Sequence, residues 1–414
     1  MVSSRRKAIG SLLGFPIFNS ISGIISPDHT DKINRESKLP AQKLFDIKGT
    51  YLNSAYTHPM SIGSKQLVGA YLNSRMENGK KPLYIMDENR KLAKKLFAEL
   101  IQADEDEIAW IPSTMAGENL ILNGLSIKET KSRLVTDAYH FSGSLFMYTE
   151  LAKKGVDVQI IQPKENRINY DDIEKALIPG TKLIAVSLVS AFNGFQHDLK
   201  KLCDMAHARN ILVYADIIQA AGAVPINVKE SGVDFCACAS YKWLMGDFGA
   251  GFLYVRKDKM DLLNKTQYGY RQEEKFTTHI FPFDEPGQMP FESESKKDAG
   301  GNFEVGTLAN GAIPALRFSL EYILNTGTEK IQNHRQSMIS LLQQKLPGLG
   351  FLPLTPIESI SPIVSFAYKN AYDKFNSKLI QAGINISVYK NRIRVSPSVF
   401  NGLEDVEKLV DALM

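Results

Sequence analysis

The chain predicts an α/β fold: a mostly parallel central sheet covered by helices, with a smaller α/β domain at the C-terminus. Two observations carry this reading. Continuous apolar, β-branched runs alternate with amphipathic stretches, the pattern of strands buried on both faces between crossover helices. The composition is that of an ordinary globular protein, 44% hydrophobic and 23% charged, which argues against disorder or a membrane protein. With 49 Lys+Arg against 45 Asp+Glu, the net charge is +4 over 414 residues. No basic stripe interleaved with aromatics accompanies it, so nucleic acid is not an expected partner. Three cysteines rule out a disulfide scaffold, and the sequence shows no metal-ligand spacing.

Residues 1–26 differ from the rest. Arg5, Arg6 and Lys7 precede an uncharged, mostly apolar stretch from Ala8 to Pro27, which is the layout of an export signal. Pro16 and Asn19 interrupt that stretch, so a membrane anchor is not expected. Ser4-Arg5-Arg6-Lys7-Ala8-Ile9 resembles a twin-arginine motif, with Ser20-Ile21-Ser22 as the nearest thing to a cleavage site. The expectation is a periplasmic protein handled by the twin-arginine machinery. A basic N-terminal arm on a cytoplasmic protein is the alternative.

Residues 27–50 read as a linker, 51–318 as a large domain and 319–414 as a small one. Strands are predicted at Arg133–Thr136, Val156–Gln162, Lys182–Val189, Ile211–Ala215, Phe235–Ala239 and Gly251–Val255. Helices are predicted at Asp171–Leu177, capped by Asp171, and at Leu199–Ala208, capped by Asp198. Gln267–Gly301 lacks periodicity and reads as a long functional loop. One long helix is expected through Leu320–Leu346.

Three local features follow one another in an order that suits a single cofactor. Ser113-Thr114-Met115-Ala116-Gly117 is a small polar turn opening onto a helix, where backbone N–H groups and the Thr114 hydroxyl suit an anion. Val213-Tyr214-Ala215-Asp216 is an apolar strand ending in an acid, with Gln219 three residues on. Ser240-Tyr241-Lys242-Trp243 follows the strand Phe235–Ala239. Pyridoxal 5′-phosphate needs a Schiff-base lysine, an acid at its ring nitrogen and a phosphate cradle. Lys242, Asp216 and Ser113–Gly117 can fill those places, and Gln219 can reach toward the ring hydroxyl. Singly, each feature is also an ordinary strand end or helix cap.

In this order the motifs resemble the class V aminotransferases, fold-type I pyridoxal phosphate enzymes that include cysteine desulfurases, kynureninases and isopenicillin N epimerase. The resemblance runs from Tyr51-Leu52-Asn53-Ser54-Ala55 to the C-terminus. It implies a homodimer and a small amino acid or peptide-borne amine as substrate. It places Ser113, Thr114, Met115, Ser240 and Tyr241 around the cofactor, and Phe141, or alternatively His140, stacked on its ring. Phe303-Glu304-Val305-Gly306-Thr307 resembles the segment that approaches the neighbouring subunit's cofactor phosphate. In Arg392-Ile393-Arg394-Val395, Arg394 would grip the substrate carboxylate, with Arg392 as the alternative. Asn53–His58, with Asn53 and His58 as substrate contacts, and Gln267–Gly301 would shape the pocket.

The chain departs from the desulfurases in three places. Gly383–Ile393 contains no cysteine, Ala191 replaces the asparagine that contacts the ring (unless Asn193 substitutes), and Ala239 replaces a phosphate-binding serine. Cys236 and Cys238 read as core. Epimerisation, transamination and β-elimination all remain open, as do a cytoplasmic C–S lyase and a catalytically silent binding protein. A dinucleotide site at Gly246-x-x-Gly249-x-Gly251 is disfavoured, because the glycines precede a strand.

Overall fold

The computed structural model describes residues 38–76 and 81–414. The basic and apolar N-terminal stretch lies outside them. Residues from Leu39 to Met414 form one compact unit.

A seven-stranded sheet runs through its middle. In chain order its strands are β1 (Ile108–Ile111), β2 (Arg133–Asp137), β3 (Val158–Ile161), β4 (Thr181–Ser187), β5 (Leu212–Asp216), β6 (Phe235–Ala239) and β7 (Gly251–Val255). Their spatial order is β1-β7-β6-β5-β4-β2-β3, and only β7 runs antiparallel to its neighbours. β6 and β7 are buried at every position, which is why they read as unbroken apolar runs rather than alternating ones.

The helices used below are α1 (Ile62–Met76), α2 (Lys81–Ile101), α3 (Thr114–Gly124), α4 (Ser142–Lys153), α5 (Tyr170–Ala176), α6 (Leu199–His207), α7 (Ile313–Thr326), α8 (Thr328–Lys345), α9 (Ala371–Gln381) and α10 (Leu403–Leu413). Asp198 caps α6, accepting from Lys201 N–H at 2.9 Å. For α5 the cap is Asn169 and not Asp171, with Asn169 Oδ1 accepting from Asp171 N–H at 2.8 Å. Asn and Asp compete closely for this position, so a one-residue shift costs little.

The single helix expected through Leu320–Leu346 is two helices. Gly327 lies between α7 and α8 at φ +84°, a conformation that a side chain resists. The break redirects the chain: α7 packs on α1 and α2, whereas α8 packs on α10. Helix contacts therefore change partners at Gly327, C-terminal to the 318/319 division read from the sequence.

Beyond the break lies a second, antiparallel sheet of β10 (Leu352–Pro353), β11 (Val364–Ala367), β12 (Ser387–Tyr389) and β13 (Arg392–Val395), in the order β10-β11-β13-β12 once all four are placed. Met338, Leu342, Phe366, Phe375, Ile393, Val406 and Leu409 form its own apolar cluster with α8, α9 and α10.

Gln267–Gly301 is not an irregular loop. It holds a hairpin of β8 (Glu273–Thr278) and β9 (Phe291–Ser295), and β9 is exposed at every position. With both faces wet, neither strand needs the apolar alternation by which strands are recognised. The hairpin's base is anchored by Arg271, which donates to Glu304 at 2.9 and 3.1 Å, and by Lys296 Nζ on the Arg271 carbonyl. Gln267, within this stretch, borders a cavity.

Candidate active site

The parallel strands β4, β5 and β6 end at one edge of the sheet. Ser187 pairs in register with Asp216, and Asp216 with Ala237. Ligands collect at such carboxyl ends because the loops leaving them diverge. A cavity lies here, lined by Ser113, Thr114, Met115, Phe141, Asp216, Ile218, Ala239, Tyr241 and Lys242, with about 340 Å³ of empty space partly open to solvent. Three segments far apart in sequence thus meet as expected. Ala239 lines it at the position where the resemblance marked a missing serine, and Ile218 is a lining residue that the sequence did not signal, since nothing distinguishes a cavity-facing isoleucine from a core one.

Lys242 leaves β6 on a tight turn. Ser240 N–H donates to Ala250 O, Met245 N–H to Lys242 O and Gly246 N–H to Ser240 O, each at 2.9 Å. Met245 sits at φ +55°, an unusual backbone conformation for its type. Burial pushes the Lys242 ammonium down to about 8, with Asp216 opposing the shift and Arg394 adding to it. The amine is therefore deprotonated far more readily than a surface lysine's. Asp216 has its Oδ1 bonded to Ile218 N–H at 2.9 Å. Burial raises its carboxyl to about 6, with nearby His140 and the Ile218 bond opposing the shift. Asp216 is thus a carboxylate at neutral pH, held in a place where a protonated ring nitrogen would satisfy it.

At the start of α3, Ser113 Oγ accepts from Ala116 N–H at 3.2 Å. The Thr114 and Met115 N–H groups have no acceptor within the helix and suit an anion. Thr114 Oγ1 accepts from Ala239 N–H at 2.9 Å, so the helix is tied to the strand end that delivers Lys242. Its hydroxyl hydrogen stays free to donate.

Phe141, just before α4, lines the cavity, whereas His140 is wholly enclosed behind it. Of the two candidates for ring stacking, the structure brings Phe141 to the site. Gly143 makes room for it: a Cβ there would lie 2.7 Å from the Phe141 ring.

Four other candidates are placed differently from expectation. Gln219 does not line the cavity; its Nε2 donates to Ala55 O at 3.0 Å and its Oε1 accepts from Trp243 Nε1 at 2.8 Å, so it braces the lysine turn from behind. Ser240 is enclosed, and its Oγ donates to Asp247 O at 2.6 Å, closing the same turn. His58 has both ring nitrogens occupied, by Pro59 O and Ser398 Oγ at 2.8 Å each, and burial lowers it to about 4, so it is a neutral structural residue. Asn193 donates to Asn166 O and Leu354 O and accepts from Phe195 N–H, so it does not take the place left by Ala191. In each case the side chain is a hydrogen-bonding group that the interior must satisfy.

Tyr241 does line the cavity, its ring stacked on Phe248 at 4.4 Å. Gly306 and Thr307 border a second cavity, which shares Met115 with the first.

On β13, Arg394 is buried. Its Nη1 donates to Ala191 O at 3.0 Å and its Nη2 to Ser387 Oγ at 3.1 Å, while Nε has no partner among the described residues. Ser387 Oγ in turn donates to Asn53 Oδ1 at 2.7 Å, so Asn53 acts on the arginine through Ser387. Arg392 is engaged otherwise, over the Tyr389 ring at 4.2 Å and on the Phe192 carbonyl.

The family model for aminotransferase class-V matches residues 83–389. The chain belongs to the class-V aminotransferase family. A probable cysteine desulfurase of Methanothermobacter thermautotrophicus is 26% identical over 344 residues, 82% of each chain. The cysteine desulfurase CsdA of Escherichia coli superposes with a TM-score of 0.78 at 19% identity, covering 90% of this chain and 97% of that one. A C-DES variant carrying glycine covalently linked to its PLP cofactor superposes equally well, at 0.78 and 19% identity, over 90% of this chain and 98% of that one.

This is therefore a fold-type I enzyme, and pyridoxal phosphate is its expected cofactor. The residues present fit that cofactor: a deprotonable lysine, a carboxylate at the strand edge, free N–H groups at a helix start and an aromatic ring over the space between. Among the described residues no group of three or more His, Cys, Asp or Glu is placed to hold a metal, and no helix is long and apolar enough to cross a membrane.

Proposed function

We propose that this class-V enzyme transforms an amino acid, free or borne on a peptide, by moving the proton on its Cα, without passing sulfur to a cysteine of its own. The observation that carries this reading is the Lys242 amine, held close to neutrality in one cavity with Asp216 and Phe141 and within reach of the Arg394 charge. Pyridoxal phosphate, when bound, supplies an electron sink that acidifies the Cα–H bond. Asp216 would hold the proton of that cofactor's ring nitrogen. Arg394, whose buried Nε has no partner among the described residues, is the group we assign to the substrate carboxylate, and Ser387 holds the guanidinium in place. The Lys242 amine takes the Cα proton and returns it, which is general base then general acid work by one group. Epimerisation, transamination and β-elimination all begin with that transfer.

The thiols support the exclusion of sulfur transfer. Cys203, Cys236 and Cys238 are all buried, and burial pushes each thiol upward, away from a reactive thiolate. The test is a panel of L-amino acids incubated with the holoenzyme in D₂O, followed by proton NMR. Deuterium entering at Cα in the wild type and not in Lys242→Ala is expected. Exchange that survives Lys242→Ala would refute the mechanism, and a protein-bound persulfide formed from cysteine would refute the sulfur clause.

We also propose a homodimer, supported by exposed Thr307 at the rim of the second cavity, and twin-arginine export, supported by the Ser4–Ile9 motif. Sedimentation tests the first. Cell fractionation of wild type and the Arg5→Lys, Arg6→Lys double variant tests the second.

A further inference from the structure

Behind the cavity wall lies a buried carboxylate with three side-chain donors and no lysine or arginine among them. Glu118, on the face of α3 one turn beyond the anion-binding start, accepts from Ser144 Oγ at 2.6 Å, from His140 Nε2 at 3.1 Å and from the Tyr148 hydroxyl. All four side chains are enclosed. Burial alone would raise the Glu118 carboxyl; the nearby His140 ring and the three bonds outweigh it and hold it below the usual carboxylate range. On its other side, His140 Nδ1 accepts from the backbone N–H of Phe141 at 2.9 Å and lies 2.8 Å from Ser187 Oγ. Ser187 is the register partner of Asp216.

Each end of this chain of bonds rests on a different cofactor contact. α3 presents the anion cradle, Phe141 presents the stacking ring, and the end of β4 flanks the carboxylate for the ring nitrogen. No backbone hydrogen-bond ladder connects α3 to α4, so side chains must set their spacing.

We propose that Glu118 and His140 are positioning residues for pyridoxal phosphate: Glu118 fixes the cradle helix α3 against α4, and His140 carries that constraint to Phe141 and to the strand edge beside Asp216. Neither touches the cofactor. A polar core group that only stabilises the fold would leave cofactor affinity and ring orientation unchanged.

Two substitutions at one position separate the links. In His140→Asn the amide lies where Nδ1 was, so the Phe141 N–H keeps an acceptor while the bond to Glu118 is lost. In His140→Gln the longer amide reaches Glu118 and the Phe141 N–H is released. Reconstitution of each protein with pyridoxal phosphate gives the dissociation constant by absorbance, and the visible circular dichroism of the bound cofactor reports how rigidly its ring is held.

Both variants are expected to bind at least about tenfold more weakly, the scale set by a lost hydrogen bond to a charged or buried partner. His140→Asn should keep most of the induced dichroism and His140→Gln should lose it. Tyr148→Phe, which removes one donor and keeps the ring, serves where the His140 variants fold poorly; it should weaken binding several-fold. Variants that lose stability to urea yet bind the cofactor with wild-type affinity and dichroism would overturn the proposal.

Discussion

Replacing Lys242 by Met should stabilise the cofactor-free protein, and by an amount that depends on pH. The native amine titrates at about 8, against 10.5 for an unburied lysine. That difference of 2.5 units, at 1.36 kcal/mol per unit, is about 3 kcal/mol. The sign follows from proton counting. Between pH 8 and 10.5 the unfolded chain binds the proton and the folded one does not, so stability rises with pH across that window. Below pH 8 the folded state carries the full cost of a buried ammonium, and above 10.5 none of it. Lys242→Met removes the group and keeps its length. The variant should therefore exceed the wild type by up to about 3 kcal/mol at pH 7, and the two should converge toward pH 10.5. That figure already includes the lysine's attraction for Asp216, which opposes the shift. Urea unfolding of both apo proteins at pH 7, 8.5 and 10 measures it. A gain independent of pH, or no gain at pH 7, would show that burial does not depress this lysine.

Asp216→Asn should weaken pyridoxal phosphate binding by about 10- to 100-fold, the scale of a hydrogen bond to a charged group. Wild-type affinity should fall as pH drops through about 6, where the carboxylate protonates, and the Asn variant should lack that inflection; absorbance titrations from pH 5 to 8 decide it. Gly143→Ala places a methyl 2.7 Å from the Phe141 ring, so the ring must shift and the cofactor's visible circular dichroism should drop, with little change in urea midpoint. Arg394→Lys removes the planar donor set, so KM for a carboxylate substrate should rise about tenfold or more while kcat changes less. Equal losses in kcat and kcat/KM would place the arginine in the chemical step instead.

Much of the site was legible because its chemistry demands particular residue types at strand ends and helix starts. Asp216, Lys242 and the Ser113–Thr114 turn stand out as polar groups bounding apolar runs, and all of them line the cavity. Gln219, His58, Ser240 and Asn193 carry the same polar signature and serve as braces. A sequence shows that a side chain can form hydrogen bonds, but the nearest unsatisfied partner decides where they go. Glu118 shows the converse. It lay in view one residue past the cradle turn, yet its role depends on Tyr148, Ser144 and His140, which meet it only when α4 folds against α3.

Local patterning by itself determined the alternation of strands and helices, the mostly parallel sheet and the cofactor class, because burial on both faces and the needs of one cofactor leave few residue choices. It missed the Glu273–Ser295 hairpin, where both faces are exposed and no alternation is required, and it ran one helix through Gly327. Tertiary structure alone decided that Phe141 and not His140 faces the cavity, that α8 leaves α7 to join the second sheet, and that Arg394 Nε has no partner among the described residues while Arg392 stacks on Tyr389. Adjacent or alternate residues in one sequence motif differ little in chemistry. Packing against distant elements separates them, because an enclosed polar atom must find a partner and only one neighbour can occupy each space.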